Sequence, residues 1–361
     1  MDTSLRSDMK VRWVGWRNAI LASDKFRRWA ARFPLTRPVA KVRARETFAL
    51  VAGFVYSQVL SACVEGGVLD LLAAGPVGAE DVAAKCDLSH AAATRLLRAA
   101  ASLHLAEDVG TGRYMLGRVG AAIHADPGIV AMIRHHDLLY ADLADPMALL
   151  RREGGGGALS GYWPYAEGQD GGVADYSALM AASQPMVAAQ ATDAYDFARH
   201  RRMLDVGGGQ GAFVAAVGKV APDLHRAVFD LPDVVARIAD PAVERHGGSF
   251  LTDALPRGYD LITLVRILHD HDDDSMLRIL RAAKAALDSG GRLLIIEPMA
   301  GLRGDEAMGD AYFGMYLLAM GSGRARTPGE LRATLKNCGF SRSRMIATSL
   351  PLIAQIIVAD A

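Results

Sequence analysis

The stretch "LDVGGGQGAF", residues 204–213, decides the fold. An apolar run ends at Asp205, and Gly207, Gly209 and Gly211 then form G-x-G-x-G before a helical pattern. Glycines at such a turn let the backbone approach a ligand where a β-carbon would not fit. The glycines alone do not name the ligand, because with Ala212 in the last position they also satisfy the dinucleotide pattern G-x-G-x-x-G/A. The next apolar run, "VFDLP", places Asp230 at the carboxyl end of a second strand. An acid there suits both ribose hydroxyls of a nucleoside. A second acid just before the glycines favours S-adenosylmethionine (SAM), which has no pyrophosphate to cradle and carries an ammonium and a sulfonium. NAD(P) is the alternative, and a helix cap before Leu231-Pro232 would explain Asp230 alone.

Outward from this turn, "RMLDVGG", "HRAVFD", "YDLITLVRIL", "GRLLIIEPM" and "PLIAQIIVADA" alternate with helical stretches. Apolar strands separated by helices predict a mostly parallel, doubly wound sheet covered on both faces, with ligands at the carboxyl ends of its strands. Upstream, residues 46 to about 125 read as helix, turn, helix and a hairpin with Thr111-Gly112 at its tip, a winged-helix pattern. Alone, that pattern suggests a DNA-binding regulator. The second helix, however, is alanine-rich and offers few base-reading side chains beyond His90, Thr94, Arg95 and Arg98. The glycine-rich segment 152–172 reads as a loop carrying Tyr162, Trp163 and Tyr165, either a lid over an apolar substrate or a packing patch.

Of 361 residues about half are hydrophobic, and 40 basic residues balance 40 acidic ones. No run of 18 apolar residues occurs, so no membrane span is expected, and no secretory signal is legible. Cys63, Cys86 and Cys338 are odd in number and widely spaced, which predicts buried thiols in a reducing cytoplasm. The neutral total hides an asymmetry. Residues 1–45 carry twelve Lys and Arg against Asp2, Asp8 and Asp24, a net +9, leaving −9 on the rest. Trp13, Trp16 and Trp29, three of the four tryptophans, lie among those charges. The segment reads as a basic interfacial arm for the cytoplasmic face of a membrane, or as an arm packing on its own domain or a dimer partner.

"LDVGGGQGAF", "FDLPDVV", "LHDHDDD", "IIEPMA" and "TPGELRATLKNCGF" occur in the order seen in SAM-dependent O-methyltransferases of the plant caffeate and acetylserotonin type, which the chain resembles over residues 46–361. Within them it is most similar to the bacterial carotenoid branch of demethylspheroidene (hydroxyneurosporene) type, through "WRNAILASDKFRRWAARFPLTRPVA", "YSALMAASQPMVAAQ" and "GDAYFGMYLLAMGSGRARTPGEL". The resemblance implies a Rossmann-like SAM methyltransferase domain behind a helical winged-helix dimerisation domain, working as a homodimer without metal. The expected organisation is a basic arm (1–45), a winged-helix-like dimerisation and substrate-covering domain (46–190) and a methyltransferase domain (191–361). It also implies a hydrophobic carotenoid as acceptor, methylated at a tertiary hydroxyl, with S-adenosylhomocysteine as the second product. A phenol or another small hydroxylated natural product is the alternative acceptor.

The family's general base is the histidine of an "HDW" motif after the fourth strand. His269 in "TLVRILHDHDDDSM" occupies that position, and His271 replaces the tryptophan. Chemistry asks for a base, since an alcohol is a poor nucleophile until its proton leaves. The acids Asp270 to Asp274 suit the start of the following helix. A metal held by His269, His271 and aspartates would need alternation along a strand end to put both rings on one face; His135-His136-Asp137 invites the same suspicion, against a polar helix face. Glu297 matches the carboxylate that orients the base. The second family acid is absent, since Ala325 stands at its position, and Thr327 to Glu330 forms a capping box instead. Ser249 replaces the family's adenine-contacting aspartate, leaving Phe250 to pack on the base. The cofactor set is therefore Asp205, Gly207, Gly209, Gly211, Asp230, Leu231, Ser249, Phe250 and Arg266. The acceptor set is Tyr162, Trp163, Tyr312, Phe313, Met315, Tyr316 and Met320.

Overall fold

A computed structural model describes residues 3–162, 173–304, 306–351 and 353–361. The chain divides into two compact units, Met1–Ala121 and Ala122–Ala361.

The first unit opens with three helices, α1 (Thr3–Ala22), α2 (Asp24–Arg32) and α3 (Arg37–Glu65). Residues 47–64 of α3 contain no charged side chain, and by length and composition α3 is apolar enough to cross a membrane, although polar residues interrupt every longer apolar run. Phe48, Leu50, Val51 and Phe54 on it are exposed. Helices Ala79–Cys86 and His90–Ser102 follow, the second capped by Ser89, whose hydroxyl accepts from the Ala92 amide. Strands β1 (Ala106–Gly110) and β2 (Arg113–Leu116) pair antiparallel as the expected wing. Cys63 is buried, whereas Cys86 and Cys338 are half-buried.

In the second unit, strands β3 (Arg202–Val206), β4 (His225–Asp230), β5 (Val243–Gly247), β6 (Tyr259–Val265), β7 (Leu287–Glu297), β8 (Arg342–Ile346) and β9 (Gln355–Asp360) form one sheet in the order β5-β4-β3-β6-β7-β9-β8. The first five in that order run parallel, while β9 is antiparallel to β7 and β8. Alternation along β3 sends Met203 to one apolar cluster and Leu204 and Val206 to the other, so helices cover both faces. The strands β5, "VERHG", and β8, "RSRMI", are not legible as apolar runs. Both lie at the sheet's edges, where one strand side has no partner and polar side chains are the rule.

Candidate active site

The carboxyl ends of β3, β4 and β6 carry the candidate cofactor site. After β3 the chain turns through Gly207, at φ 72°, where a β-carbon would lie 2.4 Å from Ile267 Cδ1. Gly209, at φ 59°, faces open space, and its amide donates to Asp230 Oδ2 at 2.8 Å. The Leu231 amide donates to the other oxygen at 2.7 Å. Asp230 is thus fixed by two backbone amides with lone pairs left over. Burial raises its pKa against the lowering effect of those amides. Asp205 accepts from Thr263 Oγ1 at 2.6 Å, while its Oδ2 is buried and has no protein partner. Burial, opposed by the Thr263 bond and reinforced by Asp230, pushes its carboxyl up to about 7. Two buried carboxyls, one with an unpartnered oxygen, and a glycine turn beside open space fit a cationic nucleoside better than a pyrophosphate.

Phe250 lies against Gly207, and His271 meets its ring edge-on at 5.4 Å. Burial pushes His271 down to about 4, so it is a neutral donor and acceptor. At the position of the missing aspartate, the Ser249 amide donates to Asp253 Oδ2 at 2.8 Å, and its hydroxyl accepts from Leu251. Arg266 follows β6 with a positive φ of 58°. Its amide donates to Ile296 O, and its guanidinium reaches Ser183 Oγ at 2.7 Å on the helix Val173–Ala194.

β6 ends at Val265, and His269 sits in a 3-10 turn, Leu268–Asp270. The strand-end alternation that would have put His269 and His271 on one face is therefore not present. Among the described residues no three His, Cys, Asp or Glu side chains group as a metal site. Glu297, fully buried at the end of β7, accepts through Oε2 from the amides of Leu268 (3.0 Å) and His269 (3.2 Å) and lies 3.3 Å from His269 Nδ1. His269 Nε2 is 3.1 Å from Asp270 Oδ1. Two carboxylates thus flank the imidazole although Ala325 is not an acid, and Asp270 belongs to this site rather than to the helix start. That helix, Asp273–Ala286, is capped by Asp272. Burial alone would lower the His269 pKa, but Asp270 and then Glu297 outweigh it, and the net direction is upward.

Arg326, only 1% exposed, was not among the residues singled out from the sequence. It donates to Leu268 O (2.6 Å), His271 O (2.8 Å) and Asp273 Oδ1 (2.7 Å). Ser322 Oγ donates to Asp270 O at 3.0 Å, so one segment straps the carbonyls on both sides of His269. A basic residue just before the Thr327–Glu330 capping box is the signal that could have marked it.

On the acceptor side, a π-helical turn, Ala307–Tyr312, leads into the helix Phe313–Met320. Phe313 meets His269 edge-on at 5.9 Å, Tyr312 packs edge-on to Phe313, and Tyr312 stacks on Tyr316. Met315 packs beside them, while Met320 is buried. His135 and His136 are not a solvated face: Nε2 of each pairs with a tyrosine hydroxyl, Tyr316 at 2.9 Å and Tyr312 at 2.8 Å. Burial lowers both imidazoles, His135 to about 4, and pushes the Tyr312 phenol up to about 12. Trp163 and Tyr165 lie outside the described residues, and for Tyr162 the description ends with its backbone at the close of the helix Ala158–Tyr162.

Residues 140–341 match the O-methyltransferase domain and residues 48–126 the O-methyltransferase dimerisation domain. The chain is 40% identical over 355 residues to a demethylspheroidene O-methyltransferase of Rhodobacter capsulatus, across 96% of this chain and 90% of that one. It is 39% identical to the protein of the same name from Cereibacter sphaeroides, across 94% and 93%. Human N-acetylserotonin methyltransferase, solved in complex with SAM, matches with a TM-score of 0.75 at 25% identity, across 88% of this chain and 97% of that one. The glycine turn, the paired acids and these matches converge: the chain belongs to the SAM-dependent O-methyltransferases that join a helical dimerisation domain to a Rossmann-like catalytic domain.

Proposed function

We propose that the enzyme methylates the tertiary hydroxyl of an acyclic carotenoid, with His269 as general base, and that it works as a homodimer through its dimerisation domain. Bound SAM supplies a methyl group already activated by the sulfonium. Asp230 holds the ribose end, and the turn at Gly207 and Gly209 admits the nucleoside backbone-close. His269 takes the hydroxyl proton. Glu297 accepts from Nδ1–H, which fixes the tautomer in which Nε2 is the unprotonated nitrogen that takes the proton. Asp270 beside Nε2 then stabilises the imidazolium.

The observation that carries the acceptor is the aromatic shelf starting at Phe313. Its two tyrosine hydroxyls are already hydrogen-bonded to His135 and His136, both held neutral, so the half-buried rings of Tyr312 and Phe313 and the half-buried Met315 thioether remain to meet a substrate. Such a surface suits a long unsaturated hydrocarbon. A phenol with further polar groups would lose their water contacts without gaining partners. The names of the Rhodobacter and Cereibacter relatives support the same acceptor. The test is methyl transfer from labelled SAM to a panel of hydroxycarotenoids, phenols and indoles. Acyclic tertiary-hydroxy carotenoids should give the highest kcat/KM; preference for a phenol sinks the acceptor assignment while leaving O-methylation intact.

A further inference from the structure

The arm carries two features that the reaction does not use: a net charge of +9 in residues 1–45 and a set of exposed aromatic rings. On α1, Met9, Trp13, Trp16 and Ile20 recur at spacings of four, three and four, which places them on one stripe of the helix. At about 100° per residue, Arg12 lies on one side of that stripe and Lys10 and Arg17 on the other. Trp13 and Trp16 are 54% and 59% exposed and stack at 5.1 Å. Over α2 and its C-cap, Phe26, Trp29 and Phe33 follow at three and four, Trp29 stacks on Phe33 at 5.1 Å, and Lys25 and Arg32, seven residues apart, lie together on one side of the rings. Within the arm, the described residues form one ion pair, Arg27 with Asp24.

We propose that α1 and α2 seat on an anionic lipid surface, with the aromatic stripes at the headgroup–acyl boundary and the flanking cations at the lipid phosphates. The arrangement has both parts such a surface needs: amphipathic rings for the boundary and basic side chains, on apolar stems, that reach outward to charge. Duplex nucleic acid would satisfy the cations but offers no apolar layer for two rows of rings. The inference extends the proposed function, since a long hydrocarbon acceptor resides in lipid, but it does not depend on that acceptor for its test.

The experiment is flotation of the full-length protein with carotenoid-free vesicles, either pure phosphatidylcholine or phosphatidylcholine mixed with phosphatidylglycerol. Binding is expected to the anionic vesicles and to fall at least about tenfold on raising salt to about 0.5 M, where charge interactions are screened within a few ångströms. Each basic side chain near such a surface contributes roughly fivefold. Arg12→Gln/Arg17→Gln/Arg32→Gln should therefore weaken binding by more than about tenfold. Trp13→Ser/Trp16→Ser should weaken it while leaving the salt dependence, with circular dichroism and light scattering confirming an unchanged fold and oligomer. Absence of flotation at low salt overturns the proposal, as does binding indifferent to the arginines. Arginine substitutions that dissociate the oligomer, with no anionic-vesicle binding by the intact protein, assign the arm to a second copy of the chain and overturn it too.

Discussion

Residues 205–211 and residues 266–273 leave adjacent parallel strands at their carboxyl ends, and they hold their shapes by different means. The glycine turn is local: its glycines supply the positive φ angles, and its brace, Asp230, comes from the neighbouring strand. The turn that carries His269 is held from a distance. Glu297 fixes its amides from β7, Arg326 and Ser322 hold its carbonyls, and Phe313 packs on its imidazole. Damage at the first turn should therefore appear as lost cofactor affinity. Damage around the second should appear as lost turnover with the cofactor still bound.

The largest effect expected is at His269. His269→Ala should lower turnover by roughly 10²–10⁴, the usual contribution of a positioned base, with SAM affinity by calorimetry nearly unchanged. Near-normal turnover in a folded enzyme saturated with both substrates would falsify the base assignment.

Arg326 sharpens the contrast, because it touches neither reacting atom. Arg326→Gln leaves the carbonyls of Leu268 and His271 short of donors, a loss of about 1–3 kcal/mol for each buried group. Misplacing the base by an ångström costs on the order of 10²-fold in turnover. The expected result is a fall in kcat of about that size, a lower Tm, unchanged SAM affinity, and partial rescue of kcat by Arg326→Lys. A variant that loses Tm but keeps kcat would make Arg326 structural only.

Asp230 is the converse case. Asp230→Ala should weaken SAM binding by about 1.5–3 kcal/mol, the scale of charge-assisted hydrogen bonds. Asp230→Asn, which keeps one acceptor for the neighbouring amides, should weaken it less while kcat at saturating SAM stays within a few-fold. Unchanged affinity in both variants removes Asp230 from the ribose.

The same contrast explains what was legible in the sequence. The glycine turn, Asp230, the five apolar strands and the Thr327–Glu330 cap are written in consecutive residues, where period and turn chemistry suffice. The setting of His269 is not. A strand-end reading of "LHDHDDD" misses the 3-10 turn that separates His269 from His271. It also hides Asp270 among helix-start acids, because four aspartates within five residues differ only in which way the backbone points them. Arg326 is not legible because its three acceptors lie more than fifty residues away in the chain. The pairing of His135 and His136 with Tyr316 and Tyr312 spans an even longer separation.

The smallest effect expected is a displacement on the pH axis, and it bears on whether two carboxylates act on one base. The His269 pKa is raised, against burial, by Asp270 first and Glu297 second. A base must be neutral to accept a proton, so kcat should rise with pH along a limb lying above the ordinary histidine value of about 6.5. Stability runs the other way. Protonated His269 between two carboxylates stabilises the fold fully below about 6.5, and that contribution is lost as pH rises through the raised value. Asp205, pushed up to about 7, titrates in the same window, so the wild-type stability profile mixes the two groups. His135 and His271, both held near 4, do not. Asp270→Asn separates the contributions, since it acts on the imidazole directly and leaves Asp205 and its Thr263 bond in place. The variant's kcat limb should move to lower pH, and turnover on its plateau should fall because a less basic imidazole removes the proton less readily. A limb that stays where the wild-type limb lies would mean that Asp270 does not share the base in solution, leaving Glu297 as its one carboxylate.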